Sequence, residues 1–144
     1  MSEVVTTVTG ISGIKQIVKK ELSSDLTTTS TSFVDLLGAD IKTRGGKVII
    51  LATVSFINNR YVGYDKGTFF TLYRDSTDLL SNHVYLNNQD TDFIQEITLL
   101  WVDEPPQGNH TYKIMWKVSA HESNVYASTD PDKYHARIIL IEVE

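Results

Sequence analysis

Four histidines, His83, His110, His121 and His135, are the side chains in this sequence best suited to bind a metal or move a proton near neutral pH. A cupin-like metal site needs two closely spaced histidines on one strand plus a later Glu and His. The chain has no His-x-His pair and no H-E-x-x-H, so the four read as surface loop histidines and no metal ligand is assigned. No serine lies in a G-x-S-x-G elbow, and Gly10 to Gly13, GISG, lacks the strand-turn-helix context such an elbow requires. A serine triad assembles in space and leaves no obligatory spacing; nothing here favours one. The densest oxygen-rich spot is Asp90 and Asp92 in NNQDTD, without the Gly and terminal Glu of a calcium loop, and Asx turns account for it. The expectation is no catalytic residue, no metal and no cofactor.

Two other chemistries are open to this chain. Asn109-His110-Thr111 is an N-x-T sequon read as lying in a turn, which makes Asn109 a candidate glycan acceptor. Tyr61 and Tyr64 in NNRYVGYDK, with Tyr126 and Tyr134 in the long segment after residue 119, are candidate ligand or receptor contacts on loops. Trp101 and Trp116 lie in phase with apolar neighbours and are expected in the core.

The elements that must carry these residues show a hydrophobic period of two. Lys47 to Ile57 reads as a central strand, apolar on both parities at its start. Further strands are expected over 69–73, 83–86, 93–102, 111–119 and 136–143, with Pro105 and Pro106 ending one and Gly108 turning into the next. Residues 33–37 and 39–43 read as two short strands around Gly38, closed by a Gly45-Gly46 turn. A first strand is expected over 20–29, preceded by a helical turn, because Ile14, Ile17, Val18 and Leu22 fall at helical spacings.

About eight strands with regular turns imply an all-β antiparallel sandwich, with a Greek-key jelly roll first, an up-and-down barrel second and an immunoglobulin-like sandwich third. Residues 14–144 are expected to form that single domain. Residues 1–13 read as a connector or an N-terminal strand from a preceding region, and the abrupt start fits a piece of a longer chain.

Composition narrows the partners. A net charge of -5 and a pI near 5.3 disfavour nucleic acid, which needs clustered Lys and Arg. No apolar run has the length of a membrane span, and the N-terminus lacks the charged and apolar regions of a signal peptide, so a soluble protein without membrane insertion is expected. The chain holds no cysteine, so disulfides contribute nothing to its stability.

Both parities of 93–102 and of 136–143 carry apolar residues, although a sandwich strand has one inner face. Phe93, Ile97, Leu99 and Trp101 stand against Ile94, Leu100 and Val102, and Ile139, Ile141 and Val143 against Ile138 and Leu140. The second apolar face of each strand therefore calls for a cover, and a homo-oligomer built on that surface is expected.

Taken in order, the Ser/Thr-rich first strand, SFVDLLGADIKT, GGKVIILATVSF, GTFFTLYRDST, VDEPPQGNHTYKIMWKV and the closing ARIILIEVE resemble the small jelly-roll domains of virus and phage surface proteins. Those are capsid decorations, spikes, tail-fibre tips and, most similar, the turrets of icosahedral archaeal viruses. The resemblance covers about residues 20–144, with PPQGNHTYKIMW carrying most of it. It implies a non-enzymatic structural module on the virion surface, produced in the host cytoplasm, with other virion proteins as partners and a role in assembly and host attachment. It supplies no catalytic residues. The competing readings are a carbohydrate-binding or lectin-like domain for a host-surface glycan, and an enzyme of cupin or hydrolase type.

Overall fold

The structure is a computed structural model that describes residues 3–7, 13–58, 67–87, 94–119, 123–125 and 135–144. Among these, twelve strands follow in chain order: β1 Glu3–Thr7, β2 Ile14–Glu21, β3 Leu26–Thr28, β4 Val34–Thr43, β5 Lys47–Asn58, β6 Gly67–Arg74, β7 Thr77–Asp78, β8 Val84–Asn87, β9 Gln95–Asp103, β10 Gly108–Val118, β11 Ser123–Val125 and β12 Ala136–Val143. One sheet runs β1-β2-β12-β5-β9, and β11 pairs with the end of β5 on its β12 side, with β3 beyond β11. The other runs β4-β10-β6, with β7 and β8 on the far side of β6. Every pairing is antiparallel.

Eight of these strands form the framework, β2-β12-β5-β9 in one sheet and β4-β10-β6-β8 in the other. The last framework strand lies between the first and third, and the seventh between the second and fourth. This interleaving of two Greek keys makes the sandwich a jelly roll.

Alternation puts Val48, Ile50, Ala52, Val54 and Phe56 of β5, and Tyr112, Ile114, Trp116 and Val118 of β10, on the two inner faces. Phe56 meets Phe70 edge-on at 4.8 Å, and Phe70 stacks near Trp116 at 6.5 Å. Burying side chains of this size is the main favourable term holding the sheets together.

Three strand expectations change. Residues 14–21 are strand rather than a helical turn: Val18 is buried inward while Ile17 faces outward opposite Ile141, so pairing with β12 overrides the local spacing. The first strand ends at Glu21, and Leu26–Thr28 pairs separately with β11. Gly38 does not divide a strand, because β4 runs through it opposite Lys113, whose Cγ lies 3.3 Å from where a Cβ would sit. Among the described residues no helix is long and apolar enough to cross a membrane.

Candidate interaction surfaces

The turns 44–46, 75–76 and 104–107 lie at one end of the sandwich, and buried polar groups pin them there. Glu142, the last inward residue of β12, is fully buried. Its Oε1 accepts from Gln16 Nε2 at 2.7 Å, and its Oε2 accepts from the Arg44 and Gly46 amides at 2.7 and 2.8 Å. Burial alone raises a carboxyl pKa; those three donors, with Lys15 nearby, outweigh it and hold Glu142 below the usual range. Gly46 is required because a Cβ there lies 2.1 Å from the Val143 carbonyl oxygen.

Asp103 of β9 ties the two sheets together. Its Oδ2 accepts from Arg74 Nη1 and from the Tyr112 hydroxyl, both at 2.6 Å. Burial and this carboxylate push the Tyr112 pKa above the usual phenol range, which keeps the hydroxyl a donor. Beside it, His110 Nδ1 lies 2.8 Å from Asp75 Oδ2 and Nε2 lies 2.6 Å from the Pro106 carbonyl. Both partners only accept, so the protonated ring, with a donor on each nitrogen, suits them best; the Asp75 hydrogen bond leads the rise in its pKa. These groups bond one another, and their arrangement braces the turns.

The outer face of the larger sheet is aliphatic. Ile17, Ile141, Ile49 and Val102 stand side by side across β2, β12, β5 and β9, and Ile139, Leu51 and Leu100 form the adjacent row. Leu100 and Val102 are 63% and 52% exposed, and the isoleucines and Leu51 are half-buried. Charged pairs border the rows: Arg137 to Glu21 at 3.2 Å on one side, and Lys47 to Glu104 at 3.5 Å on the other. An apolar centre inside a polar rim is the anatomy of a protein interface.

The outer face of the smaller sheet is aromatic and cationic. Lys117 Nζ lies 4.7 Å from the Phe33 ring centroid and 4.9 Å from that of Phe69. Phe69 packs on Tyr85 at 4.5 Å, and Phe33 meets His83 edge-on at 4.7 Å. His83 Nε2 is 2.7 Å from Asp78 Oδ2. Gly67 makes this possible, because a Cβ on it would lie 1.8 Å from the Tyr85 ring.

Of the residues singled out in the sequence, Tyr61, Tyr64, Tyr126 and Tyr134 lie outside the described residues, as do Asp90, Asp92 and His121. Asn109 is exposed but sits in β10 opposite Lys42 rather than in a turn, and the Thr111 hydroxyl donates to Asp40 Oδ1 at 2.6 Å. Trp116 is in the core; Trp101 stands on the edge strand β9 and is 41% exposed. His110 is a strand residue bridging two turns rather than a free surface histidine. Met115 is buried on the outer face of β10, between Lys113 and Lys117. The second apolar faces of β9 and β12 carry Leu100, Val102, Ile139 and Ile141 outward, as their parity requires. The Phe33, Phe69 and Lys117 cluster escaped sequence reading, since its members come from three separate segments.

No family model matches the chain, and no curated protein does. Among solved structures the chain is similar to one from the T13 viral particle of IBDV, with a TM-score of 0.46 and 12% identity over 88% of this chain and 35% of that one. It is also similar to a chain of the infectious bursal disease virus Gx strain, with a TM-score of 0.42 and 12% identity over 89% and 36%. A third is VP2 of an infectious bursal disease virus subviral particle, with a TM-score of 0.43 and 10% identity over 88% and 37%. The chain spans little more than a third of those chains. The jelly-roll assignment rests on the strand order.

Proposed function

We propose that this chain is a non-enzymatic structural module of a virion, a jelly roll that forms a homo-oligomer and docks its aliphatic sheet face against other virion proteins in assembly. The observation that carries this is the pair of apolar cross-strand rows on an outer sheet face, rimmed by charged pairs. The sequence resemblance to virus surface jelly rolls supplies the virion setting, and the strand order agrees with the fold it implies. A turret-like position on the virion surface and host attachment belong to the same reading, with Tyr61, Tyr64, Tyr126 and Tyr134 as receptor contacts and Asn109 as glycan acceptor. The test is immunogold labelling of particles with antibody against the folded chain. Labelled particles, with loss of label for a folded Leu51→Lys variant, are expected; unlabelled particles overturn the reading.

The aromatic face favours a second reading, a carbohydrate-binding domain. Phe33, Phe69 and Tyr85 offer ring faces for sugars, with Lys117 beside them. Glycan-array binding lost on Tyr85→Ala is its expected sign, and silence of the intact protein removes it.

A further inference from the structure

We infer that the free edge of β9 pairs antiparallel with β9 of a second copy of this chain, joining two sandwiches through one continuous sheet. This rests on the assembly reading above and names one partner and one contact for it.

Strand β9 pairs with β5 in unbroken register from Val48 opposite Asp103 to Phe56 opposite Gln95, and among the described residues no strand pairs with its other side. A strand edge left in that state exposes a row of peptide groups that another strand can complete, and proteins ordinarily protect such edges with charges, prolines or bulges. The edge strand of the smaller sheet shows that protection. Strand β4 carries a register shift opposite Ile114 and Met115, and its outward residues include Asp35, Asp40 and Lys42. Strand β9 has no register shift and carries charge only near its ends, at Glu96 and Asp103: from Ile97 to Val102 it holds no charge, no proline and no glycine.

Trp101 points the same way. Its parity is that of Ile97 and Leu99, which are buried, yet its ring remains exposed and lines a shallow apolar groove of about 390 Å³ with Leu100 and Val102. A strand added along β9 covers that ring and gives the groove a floor. What completes a strand edge is another strand, and a second copy presents the same one. Antiparallel pairing about a two-fold axis sets β9 against its own sequence reversed, residue i opposite j and j opposite i, which an uncharged stretch tolerates and a like-charged one does not. The joined sheet also brings the two aliphatic faces, each ending at Leu100 and Val102, into one wider surface.

Light scattering on a size-exclusion column tests this with the full chain. A mass of about 32 kDa is expected, twice the 16.2 kDa of one chain. Trp101→Lys, which puts a charge on the edge and leaves the outer face intact, is expected to return the mass to that of a monomer with an unchanged circular dichroism spectrum. Leu51→Lys, in the middle of the face and away from the edge, is expected to keep the dimer. A monomeric parent chain or a dimer that survives Trp101→Lys overturns the inference. A dimer lost in Leu51→Lys and kept in Trp101→Lys also overturns it, while leaving assembly through the face standing.

Discussion

The two outer faces of this sandwich are built from the same alternation and end up chemically opposite. Across β2, β12, β5 and β9 the outward positions hold Ile17, Ile141, Ile49 and Val102, side chains with nothing to offer but dispersion and loss of water contact. Across β10, β6 and β8 they hold Lys117, Phe69 and Tyr85, which have directional contacts of their own. The first face gains by being covered with another apolar surface. The second already satisfies part of its chemistry in the free chain and suits a ligand that stacks. A single fold therefore puts a purely aliphatic surface and an aromatic, cationic one on opposite sides.

The largest effect is expected where the two faces are tied together. Asp103→Ala strips Arg74 and Tyr112 of their shared acceptor and is expected to cost about 3 kcal/mol, because it strands a guanidinium and a hydroxyl in a mostly buried site. Urea unfolding measures it; an unchanged midpoint would show that the pin is idle. Gly67→Ala acts on one face alone. The added methyl collides with the Tyr85 ring, so a loss of about 1–3 kcal/mol and an altered near-ultraviolet tyrosine signal are expected, with the oligomer mass unchanged. A shift in mass would mean the faces are coupled.

Lys117→Met keeps the stem and removes the cation between Phe33 and Phe69, for an expected loss of about 0.5–1 kcal/mol that salt does little to mimic. The smallest effect concerns His110 at the braced end, far from both face centres. Its pKa is raised in the folded chain, so its contribution to stability is complete below the ordinary value of 6.5 and is lost as pH rises through the folded value. Thermal melts across that range are expected to show a decline in the parent chain that His110→Gln lacks; parallel curves would remove the assignment.

Much of the fold was legible because strand alternation is local. The inward Tyr112, Ile114, Trp116 and Val118, the stop at Pro105 and Pro106, and the strand over 136–143 follow from residues adjacent in the chain. The misread segments are those in which a distant partner decides. Ile17 and Val18 look helical until β12 lies beside them, and Trp101 looks like core until β9 proves to be an edge. Of the candidate surfaces, the doubly apolar strands were readable, since one parity too many of Leu, Ile and Val is a property of the string itself. The aromatic cluster was not, because Phe33, Phe69 and Lys117 meet only through the pairing of β10 with β6 and the return of the chain before β4.

By itself, the sequence determined which side of the long strands 47–57 and 111–119 is apolar, that Pro105 and Pro106 stop a strand, and that no disulfide supports the fold. Only the tertiary structure decided which strand stands at an edge, which outward residues become neighbours, and that Glu142 finds its donor in Gln16, 126 residues away. The physical reason is that a side chain's direction in a strand is set by its own backbone, whereas its surroundings are set by pairings between segments that the chain's order leaves free.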